Sequence, residues 1–157
     1  MARDCAPAFE LESHLFFWLT QVMGERDRRL AQALKRFGLR VPEYRALAAL
    51  YARRRLSMSE LADLASIDRT TLTRTIDRME DAGWLARVAD ARDMRIVRLA
   101  LSAAGQRLFA RIWPAVQELN RAALAGLSEA AVEGLRRSLA RMKTNLEDEP
   151  AAAERAA

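Results

Sequence analysis

The sequence predicts a mainly α-helical protein with one small β-hairpin: a winged helix-turn-helix flanked by long N- and C-terminal helices. Three observations predict it. Apolar residues recur at three- and four-residue spacing through most of the chain, and two short helical segments abut within residues 57–83. Directly after them, over residues 84–101, the period drops to that of a strand. The 157 residues are one domain's worth of chain, enough to bury a core without disulfide staples.

The first helix is expected over about 9–37, where Leu11, Leu15, Leu19, Val22, Leu30, Ala33 and Phe37 share a face. Gly38 supplies its stop. Pro42 suits the first turn of a second helix over about 42–53, with Leu47, Leu50 and Tyr51 as apolar positions. Ser57 and Glu60 form a capping box for a third, short helix that carries Leu61, Leu64 and Ala65 and ends near Ser66. Asp68 is placed to cap the fourth, which runs "DRTTLTRTIDRMEDAGWL" and stops at Gly83. Two helices of this length, joined by about three residues, read as a helix-turn-helix.

Strands follow at 84–89 and 95–101, the second alternating through Val97, Leu99 and Leu101, with the charged connection "DARDM" between them. Ser102 caps a helix over about 102–125 that Pro114 should kink, and Ser128 starts the last, to about 146. The chain thus reads as one domain. Residues 42–101 make the winged helix-turn-helix, and the helices at 9–37 and 102–146 exceed what its core needs. Amphipathic helices left over at both ends pack on a second copy, so these are read as dimerisation helices and a homodimer is expected. Residues 1–8 and 147–157 lack apolar periodicity and are expected to fray.

Net charge is +5 with a pI of about 10.3, which permits a nucleic-acid partner. Because 24 of the 26 basic residues are Arg in an Ala-rich chain, the choice of Arg over Lys carries little weight. The single Cys5 excludes an internal disulfide and a thiolate zinc cage, and it fits a reducing compartment. The opening "MARDCAPAFE" has no apolar core and no run is long enough to span a membrane, so a cytoplasmic protein is expected. No Gly-rich phosphate loop is present, and His14 has no second His or neighbouring Cys. Neither an enzyme, a cofactor nor a metal site is expected.

The fourth helix holds the chemistry. Leu72, Ile76 and Met79 lie on one face for burial, with Thr75 near it. Opposite lie Thr70, Arg74, Asp77 and Asp81, flanked by Thr71, Thr73 and Arg78, with Arg69 in the first turn. The outward face is therefore hydroxyl and guanidinium in its first half and acidic in its second. That split suits a recognition helix entering the major groove of double-stranded DNA by its amino end. Short Thr side chains reach phosphates or thymine methyls, and Arg74 can hold guanine O6 and N7. Asp77 and Asp81 should point away, pairing with Arg74 and Arg78 at three-residue spacing. In the hairpin, Arg92 at the loop and Arg95 at its far base are placed for an adjacent minor groove. Taken alone the same face fits an ordinary solvated helix; the capped helix before it and the basic hairpin after it favour DNA.

These residues resemble a known family. "LADLASIDRTTLTRTIDRMEDAGWLARVADARDMRIVRLALSAAG" (61–105) is similar to the signature segment of the MarR family of bacterial transcriptional regulators. The likeness lies in the Asp-Arg-x-Thr-x-Thr-Arg start of the fourth helix, its "DRMEDAGWL" exit, a D-x-x-D-x-R hairpin and a Ser-x-x-Gly helix start. In helix order it extends over about residues 10–145. The resemblance implies a homodimer interlocked through its first, fifth and sixth helices. It implies a near-palindromic DNA site, and release by a small ligand, often aromatic or phenolic. It also implies DNA contacts at Arg69, Thr70, Thr71, Thr73 and Arg74, with Arg92 and Arg95 in or near the wing. Two positions depart from the family's pattern. Met94 stands where a first arginine often follows the wing aspartate. Phe16 stands where the peroxide-sensing branch carries its reactive cysteine, and Cys5 lies eleven residues away from it.

A stripe on the first helix, His14, Trp18, Gln21 and Glu25, offers an aromatic face beside polar groups, the mixture that small-molecule sites use. It is the candidate ligand site, and a dimer seam or satisfied surface is the alternative for the same residues. Trp113 beside Pro114 is expected to serve helix packing. The function expected is a dimeric, ligand-responsive DNA-binding repressor. A protein–protein adaptor or a nucleoid-type DNA binder would use the same winged helix.

Overall fold

The structure, a computed structural model, describes residues 10–89 and 97–148. The expected first helix is broken once. Leu11–Ser13 form a single 3-10 turn, His14 is extended, and helix α1 runs Leu15–Leu34 before a second 3-10 turn at Lys35–Phe37. Ser13 Oγ donates to the Glu10 carbonyl at 2.7 Å, a local bond that competes with helix continuation there. Gly38, at φ 69°, ends the segment as expected. Helix α2 spans Val41–Arg53 with Pro42 in its first turn.

Between α2 and α3 the chain adds a strand that the sequence did not announce, β1 at Arg55–Leu56. Helix α3 (Met58–Ala65) is capped as expected: Ser57 Oγ accepts the Glu60 N–H at 3.2 Å, and Glu60 Oε2 accepts the Ser57 N–H at 2.7 Å. Ser66 turns left-handed (φ 51°) and leads through Ile67 and Asp68 into α4, Arg69–Asp81. At the exit of α4, Gly83 at φ 69° donates to the Glu80 carbonyl and Trp84 to Met79, a Schellman motif.

Strands β2 (Leu85–Ala89) and β3 (Val97–Leu101) pair antiparallel with Arg87 opposite Leu99. β1 joins the other edge of β3, Leu56 opposite Leu99, so the sheet has three strands in the order β1-β3-β2 and not the two of a simple hairpin. Helix α5 covers Ala103–Ala123 and contains Pro114. Its start explains the Ser-x-x-Gly pattern. Ser102 Oγ accepts the Gly105 N–H at 3.1 Å and donates to the Gly83 carbonyl at 2.6 Å. Gly105 passes so close to the Trp84 carbonyl that a Cβ there would sit 2.0 Å from its oxygen. Glycine is required at that close approach.

Two compact units divide the chain, residues 1–119 and 120–157. In the first, Leu30, Leu34, Leu47, Leu50, Leu61, Leu72, Ile76, Met79, Leu99 and Ile112 form the fully buried centre. Tyr51 stacks on Phe109 at 4.1 Å and Phe109 on Trp113 at 5.7 Å, so Trp113 does serve packing. Leu64, expected inside, is half exposed. So are three of the seven residues of the expected seam of the first helix: Leu11, Leu15 and Val22 face solvent in the single chain, as do Phe16 and Trp18 beside them, whereas Leu30 is buried. The second unit is dominated by α6, Glu129–Asp148, which Ser128 caps at the Ala131 N–H and which runs two residues past its expected end. None of its residues is buried, although Leu135, Leu139 and Leu146 give it an apolar stripe. No helix among the described residues is long and apolar enough to cross a membrane.

Candidate nucleic-acid interface

Helix α4 is anchored from behind and open in front. Leu72, Ile76 and Met79 are fully buried, and Thr75 is buried with its hydroxyl donating to the Thr71 carbonyl at 2.8 Å. Four threonines are tolerable in this helix because burial of that apolar face outweighs weak propensity. Asp68 caps the amino end, its carboxylate accepting the Thr71 N–H at 2.8 Å. The hydroxyl and amide of Thr71 together hold the Asp68 carboxyl below its ordinary range.

Arg69, Thr70, Thr73 and Arg74 are exposed, and Thr71 is half-buried. The Thr73 hydroxyl donates back to the Arg69 carbonyl at 2.9 Å. The guanidiniums of Arg69 and Arg74 make no ion pair among the described residues.

The acidic second half behaves differently from its expected pairing. Asp77 pairs with Arg87 of β2 at 3.2 Å, and Glu80 takes the same guanidinium at 2.9 Å. Arg74 is thus not Asp77's partner. The reason is geometric: β2 folds back beside the end of α4 and brings Arg87 between the two carboxylates.

Arg78 is likewise not paired with Asp81. Its Nη1 lies 2.8 Å from Oε1 of Glu43, whose side chain is 2% exposed while that of Arg78 is 45% exposed. Glu43 Oε2 accepts the Arg40 N–H at 2.7 Å, so this one buried carboxylate fastens the start of α2 to the middle of α4. Arg78, expected to face DNA, is held by this pair.

Two notches flank the exposed ridge of α4. One, about 200 Å³, lies against the amino end of α2 and is lined by Arg40, Pro42, Glu43, Thr71, Arg74 and Arg78. The other, about 320 Å³, lies against α3 and is lined by Met58, Ser59, Arg69, Leu72 and Thr73. Arg92 and Arg95, with Met94, lie outside the described residues.

The α1 stripe is not gathered into a pocket wall. His14 is the extended residue before α1, Trp18 donates Nε1–H to the Glu12 carbonyl at 2.8 Å, and Gln21 is exposed. Glu25 pairs with Arg28 and, at 2.7 Å, with Arg29, and it lines an open groove between α1 and α5. A separate crevice of about 560 Å³ opens among α1, α2 and the end of α3. Ala48, Ala52, Leu64 and Met23 give it apolar walls, and Arg26, Arg45, Arg53 and Tyr44 reach it. Burial pushes the Tyr44 hydroxyl above its ordinary pKa, against the opposing charge of Arg26. Arg45 is tied to Asp27 of α1 at 2.5 Å.

Sequence reasoning missed Arg40, Glu43 and Arg87. Their local signals are those of ordinary surface charges; only the packing of α2 and β2 on α4 distinguishes them.

Comparison with known proteins gives the same frame. The sequence profile of the MarR family matches residues 39–97. The chain is 30% identical over 139 residues to the HTH-type transcriptional repressor IacR of Pseudomonas putida, covering 88% of this chain and 83% of that protein. It is 34% identical over 125 residues to the HTH-type transcriptional regulator PecS of Dickeya dadantii, covering 76% and 74%. Among solved structures, a MarR-family transcriptional regulator from Silicibacter pomeroyi superposes with a TM-score of 0.79 at 26% identity, over 87% of this chain and 92% of that one.

Proposed function

This chain belongs to the MarR family, whose members are transcriptional regulators and not enzymes, and from that premise we propose that it is a homodimeric repressor. It binds a near-palindromic DNA operator and releases it on binding a small aromatic acid or phenol. One observation carries the DNA reading. The capped first half of α4 presents Arg69, Thr70, Thr71, Thr73 and Arg74 outward without an internal ion partner among the described residues, while Arg87 holds Asp77 and Glu80 of the acidic half behind it. Positive charge is therefore left where a recognition helix meets bases and phosphates. Arg74 reads a guanine and the threonines pack on methyls or phosphates. Arg78 acts chiefly by fixing α4 through Glu43. Arg92 and Arg95 complete the contact from the wing.

Dimerisation supplies the second α4. The apolar residues that the single chain leaves exposed on α1 and α6, Leu15, Phe16, Trp18, Leu135 and Leu139 among them, are what a partner copy would cover. We assign the stripe of His14, Trp18, Gln21 and Glu25 to that seam. The effector is better served by the crevice among α1, α2 and α3, whose lining combines Arg53 and the Asp27-paired Arg26 and Arg45 with alanines and Leu64, a mixture that fits a carboxylate on an apolar ring.

The test is titration of a genomic operator fragment with wild type and Arg74→Ala. Arg74→Ala should lose about 1–3 kcal/mol of discrimination between operator and scrambled duplex, and Asp81→Ala should lose little. Equal losses in the two variants would defeat the recognition-helix reading.

A further inference from the structure

We infer that the notch between the amino end of α2 and α4 is a phosphate site in which Arg40 is the donor and the neighbouring Arg74 adds positive charge, and that it takes a backbone phosphate of the operator. The inference rests on the duplex-binding reading above and adds one contact, that of Arg40, which lies outside the recognition helix.

Charge balance comes first. Three guanidiniums, from Arg40, Arg74 and Arg78, line the notch, together with one carboxylate, Glu43. Glu43 is committed: it is 1% exposed, and its two oxygens are taken by the Arg78 guanidinium and the Arg40 backbone N–H. That leaves Arg40 and Arg74 uncompensated among the described residues. The fixed fork of the Arg40 guanidinium suits a phosphodiester, which accepts several N–H donors at once, and Arg74 beside it raises the local positive charge. The Thr71 and Thr75 hydroxyls beside them are spent on Asp68 and on the Thr71 carbonyl, so Arg40 must supply the donors.

Position points to the source. Arg40 is held at φ −104°, ψ 163°, by its N–H bond to Glu43, so its backbone is fixed although its side chain is exposed. The notch sits on one flank of the exposed ridge of α4, and the notch beside α3 sits on the other. A B-DNA major groove is about 12 Å wide and has a phosphate backbone on each side. If α4 fills it, one strand must run along the Arg40 flank.

The experiment uses the full-length dimer. Arg40→Ala keeps the N–H that Glu43 binds, so it should melt like wild type. Binding of wild type and Arg40→Ala to an operator duplex and a scrambled duplex is measured over a salt series. The expected result is a loss of about tenfold on both duplexes alike, with a salt slope shallower by about 0.9 for each Arg40 engaged. Arg40→Lys should recover part of it. A neutral methylphosphonate at the contacted position should weaken wild type and leave Arg40→Ala unmoved.

In parallel, inorganic phosphate is titrated against chloride at equal ionic strength without DNA, with the melting temperature as readout. If Arg40→Ala binds both duplexes as wild type does but loses a phosphate-specific stabilisation, the site stands and its source is a free phosphate compound. If Arg40→Ala matches wild type in both arms, the phosphate site is overturned. If wild type binds no duplex, the repressor reading fails, and the phosphate arm alone decides the notch.

Discussion

Removing Arg78 is the perturbation that the structure prices most clearly. Its guanidinium is one of two partners for a carboxylate whose side chain is 2% exposed, at 2.8 Å, and the other is the Arg40 N–H at 2.7 Å. Arg78→Ala leaves a buried charge with one hydrogen bond. Breaking a buried pair in this way costs about 3–5 kcal/mol. The lower end applies, because the vacated guanidinium volume opens to the notch and admits water, so we expect about 3 kcal/mol. Glu43→Gln is a milder change. It keeps the shape and one acceptor, and Arg78, already 45% exposed, can turn to solvent; we expect about 1–2 kcal/mol.

The two effects should not add. With both residues changed, the cost should fall about 2 kcal/mol short of their sum. The assay is reversible urea unfolding followed by circular dichroism at neutral pH, at one fixed protomer concentration because dimerisation shifts apparent stability. Arg78→Ala should also melt about 6–12 °C lower. A loss below about 0.5 kcal/mol would mean the pair is worth no more than a surface contact. The fastening of α2 to α4 would then be wrong. DNA binding separates positioning from direct contact: both variants should weaken operator binding if Arg78 positions α4, whereas only Arg78→Ala should if it touches DNA.

Other outcomes follow from single sites. Gly105→Ala would drive a methyl group into the Trp84 carbonyl, so the start of α5 must shift at a cost of about 1–3 kcal/mol, read as a lower urea midpoint. Asp68 is held below its ordinary pKa by Thr71, so the folded state binds this proton more weakly than the unfolded chain. Its contribution is therefore complete above the ordinary carboxylate range and disappears as pH falls through the depressed value. Asp68→Asn keeps a neutral cap, so the stability gap between wild type and Asp68→Asn should close on acidification; a gap independent of pH would contradict the cap. Leu15→Asp changes an exposed residue and should leave the protomer's secondary structure intact while shifting sedimentation toward monomer.

Much of the fold is written locally. Ser57 with Glu60, Asp68, Ser102 and Ser128 each cap the helix that their sequence position announces, because a cap bonds within three residues. Leu72, Ile76 and Met79 are buried as their spacing requires. What escaped notice was long-range or aperiodic. Two residues, Arg55 and Leu56, have no period to read, and their strand exists only because Leu99 and Ala100 lie beside them. Ser13 and His14 interrupt an otherwise continuous apolar pattern through a bond to the backbone that periodicity does not register.

In the candidate site the divide is the same. The outward face of α4 is legible from the helical wheel, yet the partners of its charges are not. The sequence pairs Asp77 with Arg74 and Arg78 with Asp81, each three residues away. The fold instead gives them Arg87, ten residues on, and Glu43, on another helix. Glu43 looks like a surface acid in the first turn of a helix, and only the approach of α4 buries it.

The central claim is that two copies of α4 read a duplex in sequence. Its most direct measurement is selection of bound duplexes from a randomised pool by the purified full-length chain, followed by sequencing. The account predicts enrichment of an inverted repeat whose half-site centres lie about one helical turn, or a multiple of it, apart. Arg74→Ala should erase preference at one base pair of each half-site. Recovery of duplexes with no shared sequence, or of none at all, would contradict it.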